Sequence, residues 1–105
     1  MKKILVTGSS GYIGRHLVDW LSLKGYEVTG LDRFYRPQNV KKYLDQNILD
    51  APGLEGKYDT VIHLAALVQV GMGQMSMMDY YRTNVLGTMN VLEQMYCDNF
   101  IFAST

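Results

Sequence analysis

Cysteine is almost missing from this chain. Cys97 stands alone, so no disulfide can form within it. A lone thiol suits a reducing compartment, and the cytoplasm is the expected location. Excess charge of either sign is also missing: ten basic residues face ten acidic ones. Proteins that hold polyanions are usually basic, so nucleic acid is not an expected partner. A net charge of zero also removes one barrier to self-association. Long apolar runs are absent. The opening Met1-Lys2-Lys3-Ile4-Leu5-Val6 looks briefly like a leader, but its apolar part is too short and glycines follow at once. No stretch approaches the length needed to cross a bilayer, so no membrane partner is expected. Metal-ligand patterns are lacking too. His16, His63 and Cys97 fit no zinc spacing, and His63 reads as a hydrogen-bonded core residue.

What is present reads as alternating strands and helices. At 105 residues the chain has room for one domain, residues 1–105. Ile4-Leu5-Val6-Thr7 is an apolar, β-branched run that suits a buried parallel strand. Ile13, Leu17, Trp20 and Leu21 then recur with helical spacing, and Gly25 is placed to end that helix. Glu27 to Leu31 forms a second strand closed by Asp32. Residues 33–40 read as a loop, and Lys42-Tyr43-Leu44-Asp45 as a weak third strand. Residues 50–57 leave space for one helical turn at most. Thr60 to Leu64 is a strong fourth strand.

Residues 68–78, rich in Met and Gly, suggest a mobile loop, with the methionines packing at the helix start. Ser76-x-x-Asp79 resembles a capping box. The helix behind it carries Met78, Tyr81, Val85, Met89, Leu92 and Tyr96 at a spacing near 3.6, with Gly87 allowing close packing. Asn99 to Ala103 is the fifth strand. Alternation of this kind implies a three-layer, doubly wound parallel α/β fold with strand order 3-2-1-4-5. Ligand then binds at the carboxyl ends of strands 1 and 4, where the order reverses.

The chemistry gathers at Gly8-Ser9-Ser10-Gly11-Tyr12-Ile13-Gly14, between a strand and a helix. Gly8 permits a tight exit from the strand. Gly11 lets backbone approach a phosphate, and Gly14 lets the helix pack closely. Amides at the helix start would face the anion, aided by the helix dipole. Asp32 ends strand 2 eighteen residues past Gly14. It would accept from adenosine ribose hydroxyls and repel a 2′-phosphate, which favours NAD over NADP. Arg33 and Arg36 are the basic residues that could accommodate that phosphate, so NADP stays open.

The motif Thr7-Gly8-x-x-Gly11-Tyr12-Ile13-Gly14 resembles the opening of the extended short-chain dehydrogenases/reductases, and within them the NAD-dependent sugar-nucleotide epimerases and dehydratases. Residues 58–66, Asn84-Val85-x-Gly87-Thr88 and the terminal Phe100 to Thr105 resemble that family as well. The resemblance implies a Rossmann-type fold. It implies that Tyr12 and Ile13 contact the cofactor through their backbone and that Asp32 holds the ribose. Asn47 and Ile48 would lie beside the adenine, where the family usually has Asp followed by Ile or Leu. Leu64, Ala65, Ala66 and Leu67 would line the pyrophosphate and nicotinamide side, and Asn84 would turn towards the cofactor. Val68 stands where epimerases often carry lysine. Thr105 would match the Ser or Thr that bonds the reacting hydroxyl of a nucleotide sugar.

That family works through a Tyr-x-x-x-Lys pair, in which lysine lowers the tyrosine pKa. None of the eight tyrosines has lysine four residues on: Tyr12 meets His16, Tyr43 meets Asn47 and Tyr58 meets Ile62. The expectation is a truncated chain that binds NAD and does not epimerise alone. A stand-alone dinucleotide-binding or oligomerising module is the alternative. Truncation would leave Phe100, Ile101 and Phe102 on an apolar edge strand, a surface for a homo-oligomer.

Overall fold

The computed structural model describes residues 2–50, 56–66 and 76–103. The expectations for Leu67, for the loop at 68–75, for most of 50–57 and for Thr105 lie outside them. Five strands form one parallel sheet: β1 (Lys3–Thr7), β2 (Glu27–Asp32), β3 (Lys42–Asp45), β4 (Gly56–His63) and β5 (Met95–Phe102). Their order is β3-β2-β1-β4-β5, the doubly wound order expected.

Alternate residues of a strand point to opposite faces, and the two cores follow that rule. Ile4, Val6 and Val28 meet Val18 and Leu21 of α1 (Tyr12–Leu23) on one face. Leu5, Leu31 and Val61 meet Val91 of α3 (Gly87–Gln94) on the other, together with Ile48 and Met95. The three layers are thus helix, sheet and helix.

Helix α1 stops as the sequence suggested. Gly25 takes φ +93°, its N–H bonds the Ser22 carbonyl, and the Tyr26 N–H reaches back to Leu21. That is a Schellman closure, which favours glycine because the left-handed conformation crowds a Cβ. The face of α1 differs from the expectation. Ile13 and Trp20 are exposed, and the buried positions are Gly14, Val18 and Leu21. A Cβ on Gly14 would stand 2.1 Å from the Gly8 carbonyl oxygen. Gly14 therefore has to face the strand exit, and this sets the helix rotation. Trp20 instead lies under the Lys24 ammonium, 5.5 Å from its ring centroid.

The second helical stretch departs further. Ser76 caps α2 (Met77–Tyr81) through the reciprocal box with Asp79. A π-helical turn (Arg82–Leu86) then leads into α3. The stripe Met78, Tyr81, Val85, Met89 and Leu92 is exposed rather than packed, as is Met77. Gly87 and Val91 face inward, and a Cβ on Gly87 would sit 2.5 Å from Ile48 Cδ1. Close packing at Gly87 is thus present, with Ile48 as the partner. Tyr96 leaves the helix entirely. Strand β5 begins at Met95, because β4 starts at Gly56 and offers partners from the register Gly56↔Met95 onward. β5 is an edge of the described sheet, with Ile101 and Phe102 exposed while Phe100 packs on the core.

Candidate functional site

The sheet reverses its winding between β1 and β4, and a cleft opens at their carboxyl ends. It encloses about 560 Å³ of space, part of it open to solvent. Gly8 and Gly11 line it from the β1–α1 loop, and Leu31, Asp32 and Arg33 from the end of β2. Gln46, Asn47 and Ile48 close it beyond β3. Leu64, Ala65 and Ala66 form the wall after β4, and Thr83 of the π-helical turn completes it.

The glycine loop is held by backbone. Gly8 turns at φ +72°, and a Cβ there would lie 2.8 Å from the Ala65 nitrogen. Its N–H and that of Ser9 donate to the Leu31 carbonyl at 2.8 and 3.3 Å. Gly11 is the N-cap of α1. It provides no side-chain cap, and the first turn holds no acidic residue. The first N–H groups of a helix have no intrahelical acceptor, so this end offers donors and a positive dipole to an anion. The exposed Tyr12 and Ile13 leave that end open, and their side chains do not line the cleft.

Asp32 meets this loop. Its Oδ2 accepts the Ser10 N–H at 3.0 Å and its Oδ1 accepts the Arg33 N–H at 2.7 Å. A carboxylate has about four lone-pair sites, so acceptor capacity remains on both oxygens. The Arg33 guanidinium lies 5.3 Å from the Phe34 ring centroid. Gln38 bridges back over the loop, donating to the Ser10 hydroxyl at 3.1 Å and to the Arg36 carbonyl at 2.9 Å.

Beyond β3, Asn47 Oδ1 accepts the Leu49 N–H at 3.0 Å. One acceptor site on that amide is therefore taken by a local turn. Gln46 Oε1, by contrast, is buried with no hydrogen-bond partner among the described residues. A buried amide oxygen without a donor is costly.

At the other wall His63 is 1% exposed and hydrogen-bonded on both ring nitrogens, as its place in a buried strand suggested. Burial pushes its pKa down to about 4. Among the described residues, no group of three or more His, Cys, Asp or Glu could hold a metal ion. Nor is any helix long and apolar enough to cross a membrane.

Nine of the residues singled out from sequence line this one cleft: Gly8, Gly11, Asp32, Arg33, Asn47, Ile48, Leu64, Ala65 and Ala66. Tyr12, Ile13, Gly14 and Asn84 flank it without lining it, Gly14 and Asn84 from beneath α1 and from the π-helical turn. Leu31, Gln46 and Thr83 line it and were not anticipated. Each neighbours a residue that was, which is the one signal the sequence carried for them.

A model of the NAD dependent epimerase/dehydratase family matches residues 4–105. The chain belongs to that family. It is 35% identical to UDP-glucose 4-epimerase 2 of Arabidopsis thaliana, over 99% of this chain and 36% of that protein. The fold superposes on a crystal structure of UDP-galactose 4-epimerase with a TM-score of 0.81 at 32% identity, covering 98% of this chain and 38% of that one. It also matches MoeE5, solved in complex with UDP-glucuronic acid and NAD, with a TM-score of 0.75 at 33% identity, over 88% and 32% of the two chains. This family member therefore spans about a third of the length of the proteins it matches.

Proposed function

We propose that this chain is the NAD-binding portion of a nucleotide-sugar epimerase or dehydratase. The observation that carries the reading is the meeting of Asp32 with an uncapped helix start across the glycine loop, at the switch point of the sheet. The backbone amides of Tyr12 and Ile13 at the helix start hold the pyrophosphate. Asp32 takes the adenosine ribose hydroxyls. Gln46, Asn47 and Ile48, which line the cleft beyond β3, receive the adenine. Leu64, Ala65 and Ala66 form the pyrophosphate and nicotinamide side, Leu67 is assigned there on family resemblance alone, and Asn84 approaches from the helix. Bound NAD would supply a hydride acceptor and donor at its nicotinamide ring. Thr105 is assigned to the sugar hydroxyl on family resemblance alone.

NAD is preferred to NADP because a 2′-phosphate would meet the Asp32 carboxylate, and the stacking of Arg33 on Phe34 supports this. With no Tyr-x-x-x-Lys pair, the 105-residue chain binds NAD without turning over a nucleotide sugar. The exposed Ile101 and Phe102 on edge strand β5 favour a homo-oligomer through that edge. The single cysteine fits a reducing cytoplasm.

Calorimetric titration with NAD and NADP tests the reading. NAD should bind more tightly. Asp32→Ala should weaken NAD by about tenfold, since it removes a charge-assisted acceptor, and should narrow the gap to NADP. Absence of binding at millimolar NAD rejects the proposal. Turnover of UDP-glucose by this chain alone rejects its non-catalytic part.

A further inference from the structure

His63 ends β4 opposite Thr7 at the end of β1, in the register Thr7↔His63. Thr7 Oγ1 accepts the Ala65 N–H at 3.1 Å and shares the Leu64 N–H, at 3.0 Å, with the Thr7 carbonyl at 3.2 Å. A hydroxyl has two lone pairs and one proton. Both lone pairs are taken, so the Thr7 proton is left for His63 Nδ1, 2.7 Å away. Nδ1 must then be bare. The other end of the imidazole requires the same arrangement. Thr88 donates its hydroxyl proton to the Asn84 carbonyl at 2.8 Å, so it can only accept from His63 Nε2, also at 2.8 Å. Two independent counts therefore place the single ring proton on Nε2. The rings of Phe100 and Phe102 flank the imidazole, each with its centroid 5.9 Å away.

We propose that His63 is a positioning residue, a neutral imidazole of fixed tautomer that locks the glycine-loop strand, the β4 exit and the π-helical turn into one frame for the dinucleotide. The proposal rests on the reading of the cleft as a dinucleotide site. Leu64 and Ala65 are cleft wall and are bonded directly to Thr7. Gly8, the next residue after Thr7, turns against the Ala65 nitrogen. Thr83, the wall on the helical side, adjoins Asn84, whose carbonyl ends the chain of bonds. The sheet register already pairs β1 with β4. What His63 adds is a directional link from that sheet end to the helix on one face of it. Such a link has one donor–acceptor order, and it breaks if the ring gains a second proton or changes tautomer.

Nitrogen-15 resolved NMR of the histidines, NAD calorimetry and two variants test this. The wild-type chain should show His63 neutral with its proton on Nε2 at pH 7. Thr88→Val removes the acceptor of that proton at nearly constant volume. It should shift the amide signals of Leu64 and Ala65, on the far side of the imidazole, and weaken NAD binding about tenfold, as for one lost hydrogen bond. Thr88→Ser restores the hydroxyl and should return both readings to within about twofold of wild type. A ring proton on Nδ1, or a charged imidazole at pH 7, overturns the proposal without any variant. So do unchanged Leu64 and Ala65 amides with unchanged NAD affinity in Thr88→Val. If the wild-type chain binds no NAD, the functional reading falls, and the tautomer and amide signals still decide whether the link exists.

Discussion

Mild acid should destabilise this domain through His63. In the unfolded chain this imidazole titrates at its ordinary 6.5, and in the fold burial lowers it to about 4. Between those values the unfolded chain binds the proton and the folded chain does not. Stability is therefore complete above pH 6.5 and is lost as the pH falls towards 4. The gap is about two and a half units at about 1.4 kcal/mol each. The full loss is on the order of 3 kcal/mol, and about 2 kcal/mol of it is gone by pH 4.5. For a domain of marginal stability that is a large fraction. Urea unfolding at pH 7, 5.5 and 4.5 measures it, with His63→Gln as the non-titrating reference. The difference between wild type and variant should shrink by about 2 kcal/mol across that range, while shared carboxylate effects cancel. A difference that does not change with pH, or an NMR titration of His63 centred near 6.5, would refute the reasoning. The NMR titration needs only the wild-type chain, so it decides the matter even if His63→Gln fails to fold.

Three further outcomes follow from the geometry. Gly14→Ala places a Cβ 2.1 Å from the Gly8 carbonyl oxygen. It should cost about 3 kcal/mol, seen as a lowered melting temperature by circular dichroism, and a shift under about 2 °C contradicts it. Gln46→Leu removes, from a residue lining the cleft, a buried amide oxygen that has no partner among the described residues. It should leave the fold stable and weaken NAD by about tenfold if an adenine donor satisfies that oxygen; equal affinity by calorimetry excludes Gln46 from the contact. Ile101→Lys places a charge on the exposed β5 edge. If the chain pairs through this edge, the change should shift light-scattering mass towards the monomer at micromolar concentration; a wild-type chain already monomeric, or an assembly that the variant leaves unchanged, refutes pairing through β5.

Much of this was legible because strands and phosphate loops carry short-range signals. The run Ile4 to Thr7 leads straight into the glycine loop, and Asp32 closes the next strand eighteen residues past Gly14, so each could be read from its immediate neighbours. The order β3-β2-β1-β4-β5 is the common doubly wound arrangement that alternating strands and helices led one to expect. The π-helical turn at Arg82–Leu86 left no mark, because an extra residue in a helical turn changes no residue type. Thr83 was missed as cleft wall for that reason, since its inward turn depends on the turn geometry. Gln46 was missed because nothing in the sequence distinguishes an amide beside the Asn47-Ile48 pair until the fold brings it to the cleft wall. The start of β5 was misplaced since Met95 and Tyr96 continue a helical spacing and pair with β4 only through the tertiary register.

Both helices taught the same lesson about rotation. Apolar stripes pointed one way, and the glycines Gly14 and Gly87 pointed another. The glycines prevailed because the alternatives are unequal. Exposing a leucine or a methionine forgoes about 2 kcal/mol of burial. Turning either glycine away would bring a larger residue to a gap where even one Cβ has 2.1 or 2.5 Å. Neighbouring positions on α3 therefore give a sharp contrast. Val91 is 0% exposed and Leu92 is 52% exposed, although Leu92 belongs to the apolar stripe. Val91→Ala should lower stability by about 2 kcal/mol, from two lost methyl groups and the cavity they leave. Leu92→Ala should change it by about 0.5 kcal/mol or less, as at an exposed helical site. Urea midpoints measured side by side decide between the two faces. If Leu92→Ala costs more than Val91→Ala, the hydrophobic stripe sets the rotation and the glycine argument fails.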